Sequence, residues 1–272
     1  MCRVTLTDDV RGALAGRPGV FGVYARNLQT NETVEIDADR VMPAESTVKT
    51  GILLHFSQQV ATGALDPSTR LELRDEHRYI GTGVLRYLAN GLAPTLEDLA
   101  WLMIIVSDNV ATAMLVEALG GLEPINATMR TLGCPTAQLN EITFDDALAG
   151  APFSSASPRD LAELYAHLDE RSRAMLFRQQ HLIGLPRLVP HLAMASDVGF
   201  TMPVRVFNKT GNGAGRFIDS GRFETDTASW VVAAMADEQT DFASRPDDAA
   251  PAAFGTIGAR LCDAWGGIEP SG

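Results

Sequence analysis

Hydrophobic periodicity in this chain changes twice along its length, and those changes constrain the fold more than any other feature. Residues 19–25 and 33–37 alternate like strands and are joined across the polar segment 27–32, as an antiparallel hairpin requires. From Ser46 to about Leu192 the spacing is helical. Residues 51–60 are apolar on most sides, Thr95 caps a run to Ile105, and Ser157-Pro158-Arg159-Asp160 opens another amphipathic stretch with proline in its first turn. After Pro203 strands return at 204–209, 216–224 and 228–236, followed by a closing helix at 252–265. Strand and helix do not alternate one by one, so an α+β fold is expected and a doubly wound parallel sheet is not. Both chain ends should share one antiparallel sheet within a single domain, 1–272. Its α/β lobe spans about 1–45 and 203–272, its helical lobe about 46–202, and the active site is expected between them.

Composition narrows the partners. Hydrophobic residues make up 46% of the 272, enough for a large core. The 34 acidic against 22 basic residues give a net charge of -12, which repels nucleic acid and anionic membranes and leaves a small molecule as the expected partner. Cys2, Cys134 and Cys262 are odd in number and lack any Cys-x-x-Cys spacing, so they read as free thiols. His55, His77, His167, His181 and His191 show no metal-binding spacing and are assigned to the surface or core, so no metal or cofactor is expected. Gly211, Gly213 and Gly215 lead from strand to strand and open no helix, which excludes a dinucleotide fingerprint. The first residues carry no basic segment leading into an apolar run, and no stretch approaches about 18 uninterrupted apolar residues, so a cytoplasmic location is expected. Oligomeric state is not legible.

Three short motifs carry chemistry. Ser46-Thr47-Val48-Lys49 puts a hydroxyl and an amine one helical turn apart at a helix entrance, where a lysine freed of its proton can activate serine. Ser107-Asp108-Asn109 emerges from the apolar run 102–106; either Ser107 or Asp108 caps the next helix, Ser107 can relay a proton, and Asn109 can hold a carbonyl or tie to Lys49. Lys209-Thr210-Gly211 ends a strand; the ammonium and hydroxyl can bind a carboxylate, and Gly211 admits close approach by an extended substrate. Any one of these could be accidental, but all three in this order, each on the element its chemistry requires, form a set.

With that set the chain resembles the class A β-lactamases and penicillin-binding proteins, over residues 19–265. The resemblance implies a β-lactamase/transpeptidase-like fold and an acyl-enzyme on Ser46. Lys49 and Ser107 would move protons, Asn109 would position substrate, and Lys209 with Thr210 would bind its carboxylate. The backbone N–H groups of Ser46 and Asn212 would form the oxyanion hole. In the class A pattern a glutamate three residues before a Leu-Asn pair activates the deacylating water. The pair here is Leu139-Asn140, and Thr136 stands in the glutamate's place, which implies impaired deacylation. Glu141, Asp145 and Asp146 offer substitute carboxylates. Arg216 and Arg222 are open candidates for a further carboxylate contact, since strand alternation does not say which faces the cleft. Competing expectations are a cytoplasmic acyltransferase or esterase and a binding module that captures a β-lactam or peptide without turnover.

Overall fold

The computed structural model describes residues 5–78, 80–140, 151–191 and 193–267. The chain opens with α1 (Leu6–Leu14), which the periodicity reading does not include although Thr5 and Asp8 form a reciprocal capping box on it. The expected hairpin follows as β1 (Val20–Asn27) and β2 (Thr33–Ile36), with Ala25 opposite Val34. Next come β3 (Met42–Pro43), a 3₁₀ turn over Glu45–Val48, and α2 (Lys49–Ala61). The helical stretch continues through α3 (Leu96–Ile105), capped by Thr95 as expected, α4 (Asn109–Ala118) and α5 (Leu122–Thr131). Then follow β4 (Gln138–Leu139), β5 (Ser154–Ala156), α6 (Pro158–Glu163), capped by Ser157, and α7 (Glu170–Phe177). The chain closes with β6 (Arg205–Gly213), β7 (Arg216–Glu224), β8 (Ser229–Asp237) and α8 (Ala249–Trp265).

The main sheet is antiparallel, in the order β2-β1-β8-β7-β6, so strands from both ends of the chain are neighbours. Period-two alternation on β8 divides the protein's two cores. Trp230, Val232 and Ala234 pack with Phe254, Ile257 and Leu261 of α8. Val231, Ala233 and Met235 join the larger core with Ile52 and Phe56 of α2 and Leu99 of α3. Buried Tyr165 links the helices to the sheet through hydroxyl contacts of 2.9 Å with Thr50 Oγ1 and 3.1 Å with Ser220 Oγ.

Two features position the site. A small sheet in the order β3-β5-β4 holds the segment before α2: Ala44 N–H donates to Ser154 O and Ser154 Oγ donates to Glu45 O. The other is β6, which runs on to Gly213 because Asn212 and Gly213 keep pairing with Phe217 and Arg216. Lys209-Thr210-Gly211 therefore lies inside the strand, not at its end.

Cys134 and Cys262 are buried free thiols that burial pushes up, to about 12 and about 11; Cys2 lies outside the described residues. Among the described residues no helix is long and apolar enough to cross a membrane.

Candidate active site

The 3₁₀ turn delivers Ser46 to the entrance of α2 and sets Lys49 at that helix's first position, buried to 1% exposure. Lys49 Nζ lies 2.9 Å from Ser107 O, 3.1 Å from Ser107 Oγ and 2.8 Å from Asn109 Oδ1. Burial and the nearby Lys209 charge hold this amine well below its ordinary value, with Asp108 pulling the other way. All three partners can accept: the Ser107 carbonyl, its hydroxyl and the Asn109 amide oxygen. When the amine is neutral, two N–H bonds serve the carbonyl and amide oxygens and the lone pair is left for a hydroxyl proton.

Asp108, not Ser107, is the cap of α4, and the whole carboxylate is used structurally. Oδ1 accepts from Val110 and Ala111 N–H, and Oδ2 accepts from Val84 and Leu85 N–H. This fixes the loop 80–85 as one wall of the cleft. Asn109 completes the wall, donating its amide nitrogen to Ile80 O and its backbone N–H to Thr82 O, while Thr82 Oγ1 donates to Ser107 O. Ser107 itself sits at φ 58, a left-handed conformation costly for a residue with a Cβ.

β6 forms the opposite wall. Thr210 and Asn212 line the cleft. Lys209 is fully buried and donates to Thr210 O at 2.8 Å. Burial pushes Lys209 down to about 7 and Asp219 up to about 7, each partly offset by the other's charge. Gly211 is needed where β6 passes the turn: a Cβ there would lie 2.8 Å from Glu45 Cβ, 2.9 Å from Ser46 N and 3.0 Å from Ala44 O. This close approach is between β6 and the segment Ala44–Ser46.

An open cleft of about 700 Å³ lies between these walls, lined by Ser46, Ser107, Asn109, Thr210 and Asn212 among others. Three further residues line it. Arg216 does so and pairs with Glu45 and Asp237, whereas Arg222 pairs with Glu224, which resolves the alternation between the two arginines. His181 also lines it, its pKa lowered by burial and by the charges of Lys209 and Lys49; no motif marks it in the sequence. Glu45 is the third, a buried carboxylate immediately before Ser46.

Thr136 is not at the cleft. Its Oγ1 donates to Asp160 Oδ2 and accepts from the Ser157 N–H at the start of α6, and its own N–H donates to Asp160 Oδ2. Leu139 belongs to β4, and Ala151 and Phe153, farther along the chain, border the cleft. The Leu139-Asn140 pair is thus no guide to where a deacylating base stands. Glu141, Asp145 and Asp146 lie outside the described residues. Among the described residues no cluster of His, Cys, Asp or Glu is arranged to hold a metal ion.

An antiparallel sheet against a helical lobe, with the serine, lysine and amide motifs converging between them, defines a protein of the β-lactamase/transpeptidase class. A sequence profile of the β-lactamase enzyme family matches residues 5–265, and the chain belongs to that family. It is similar to the carbapenem-hydrolyzing beta-lactamase KPC of Klebsiella oxytoca, 30% identical over 152 residues, which are 53% of this chain and 50% of that protein. A beta-lactamase of Streptomyces lavendulae is 30% identical over 155 residues, 54% of this chain and 50% of that one. The matched stretch spans about half the length of these curated relatives. Among solved structures, the beta-lactamase from Sphaerobacter thermophilus DSM 20745 superposes with a TM-score of 0.83 at 28% identity, covering 96% of this chain and 98% of that one. A mutant of PBP-A, solved as an acyl-enzyme complex with penicillin G, superposes at 0.80 with 24% identity and 95% coverage of each chain.

Proposed function

We propose that this protein is a serine acyl-transfer hydrolase that acylates Ser46 with β-lactam, amide or ester substrates. The observation that carries the reading is Lys49, a buried amine held below its ordinary pKa with its two N–H bonds assigned to fixed acceptors. Ser46 Oγ attacks the substrate carbonyl carbon and its proton passes to Lys49. Oxygen develops negative charge between the N–H groups of Ser46 and Asn212. The carbonyl's bond to nitrogen or oxygen then breaks, and the leaving atom takes a proton from Ser107, which Lys49 replenishes. Asn109 orients the substrate amide, and Thr210, with the Lys209 charge beneath it, holds an anionic group. Gly211 lets β6 lie against Ser46.

Water attack on the ester is the slower half of the cycle. Among the described cleft residues the one carboxylate is Glu45, and it is committed to Arg216. The same feature favours a second reading, in which a small nucleophile other than water accepts the acyl group. A non-turnover binding module has less support, since a relay from Lys49 to Ser107 has no use without a proton to move.

Intact-protein mass spectrometry after mixing with benzylpenicillin, nitrocefin or an activated phenyl ester tests this, with Ser46→Ala as control. The expected result is an adduct that forms on the wild type, persists, and is absent from the variant. Turnover without an adduct would assign water activation to a group outside the described residues. Equal reactivity of wild type and variant would remove Ser46 from the mechanism.

A further inference from the structure

Glu45 has no part in the proton transfers above, yet the chain goes to some expense to place it. It sits at φ 48, a left-handed conformation disfavoured for a side-chain-bearing residue. Its carboxylate is buried, which raises its pKa; Arg216 opposes that rise and the Asp237 charge adds to it. The side chain crosses the face of β6 where two glycines make room. The Cβ position of Gly211 is 2.8 Å from Glu45 Cβ, and that of Gly213 is 2.6 Å from Glu45 Oε1. Beyond Gly213 the carboxylate meets Arg216 Nη1 at 3.2 Å, and Arg216 Nε reaches Asp237 Oδ1 at 3.1 Å. Behind it, Ser154 Oγ holds Glu45 O at 2.8 Å.

One chain of contacts therefore runs from the residue before Ser46, under the strand carrying Asn212, to the far side of the β6–β7 hairpin. We propose that Glu45 is a positioning residue, whose ion pair with Arg216 ties the nucleophile turn to that hairpin and so sets the spacing between the Ser46 and Asn212 backbone N–H groups. The proposal deepens the acyl-transfer reading and rests on it for its catalytic consequence. An oxyanion hole acts only if both donors stand where the oxygen will be, so slack between the turn and the strand lowers the acylation rate without weakening substrate binding. The charged groups facing Glu45 are Arg216 from β7 and Asp237 from β8; β6 meets it at Gly211 and Gly213, and β5 at the Ser154 hydroxyl.

The test uses Glu45→Gln, which keeps the volume and leaves Arg216 paired with Asp237, together with Arg216→Gln and the double variant. Two readouts are taken: single-turnover acylation by nitrocefin, and amide hydrogen exchange over residues 44–48 and 211–214. For Glu45→Gln the acylation rate constant should fall about 10- to 100-fold, part of what deleting an oxyanion donor costs. Apparent substrate affinity should change less than about threefold, and exchange should quicken in both segments. The double variant should be no slower than the worse single one, as for two halves of one device. Gly213→Ala, whose methyl displaces the Glu45 carboxylate, should reproduce the loss in the wild type and add nothing in a Glu45→Ala background. Unchanged exchange and acylation in Glu45→Gln, or additive losses in the double variant, would overturn the proposal. If the wild type is not acylated at all, the reading of Ser46 fails, and exchange alone still decides whether Glu45 ties the two segments.

Discussion

Thr136 donates its hydroxyl to the Asp160 carboxylate across 2.8 Å and its backbone N–H to the same oxygen across 2.7 Å. The position that sequence spacing matches to a catalytic glutamate is thus a structural brace at the start of α6. Introducing that glutamate should not create a deacylating base. Thr136→Glu sets a second carboxylate against Asp160, itself only 8% exposed, and should cost about 1–3 kcal/mol by like-charge contact and the lost hydrogen bond. Thermal melting should show the loss, and the lifetime of the Ser46 adduct by mass spectrometry should stay within about twofold of wild type. A lifetime shortened tenfold or more would place position 136 in the site after all.

Ser107 combines a strained backbone with a hydroxyl assigned to the proposed relay, and the two can be separated. Ser107→Gly removes the hydroxyl while accepting φ 58 without penalty; Ser107→Ala removes the hydroxyl and keeps the strain. Both should slow acylation by about 10²-fold or more, as expected for loss of a general acid–base group. The glycine variant should melt higher than the alanine one by about 1 kcal/mol. Lys49→Arg, whose guanidinium does not give up its proton, should be at least as slow. Wild-type acylation should rise with pH and level off below the ordinary lysine value of 10.5, because the neutral amine is the working form.

Burial lowers Lys209 to about 7 and raises Asp219 to about 7, each charge partly offsetting the other's shift. As pH rises through that region Lys209 loses its charge and the attraction for an anionic substrate falls. The apparent KM for benzylpenicillin should increase between about pH 6 and 8, whereas that for an uncharged ester should stay flat. Parallel behaviour of the two substrates would mean that the buried ammonium has no part in binding.

Away from the cleft, Glu224 holds α7 to the sheet. Burial alone would raise its pKa, but Arg173 with a two-pronged contact at 2.6 Å, and Arg222 and Arg205 beside it, bring it below the ordinary 4.5. A depressed carboxylate stabilises the fold above its unfolded pKa, and that contribution is lost as pH falls through the folded value. Glu224→Gln should lower stability by about 1–3 kcal/mol at pH 7. The gap from wild type should shrink as pH falls below the ordinary 4.5 and close only below the lowered folded value, as denaturant melts along a pH series would show.

The fold was legible because its signals are local. Thr95 and Ser157 are caps where caps are needed, and the alternation on β1, β2 and β8 shows which elements have two packed faces. The spacing of Ser46 and Lys49 by one turn was legible, and the tie from Asn109 to Lys49 was among the expectations the structure meets. What escaped depends on three dimensions. Lys209 lies buried beneath Thr210, and the Cβ position of Gly211 faces Ala44, Glu45 and Ser46, neither of which the motif spelled out. Glu45 carries no motif, because its partner Arg216 is distant in sequence and only the β6–β7 register brings them together. Thr136 misled because a Leu-Asn pair is common enough to occur one element early.

The interleaving of the sheet governs when the protein comes alive during synthesis. Ser46 and Lys49 precede β6, the strand that closes over them, and β1, already paired with β2, finds its second neighbour only when β8 has been made. Until then the nascent chain carries Ser46 without the strand that walls its cleft and a helical lobe with one apolar flank uncovered. The cleft is complete only once β6, β7 and β8 are in place, and a chain cut before β8 should be inert and prone to clump.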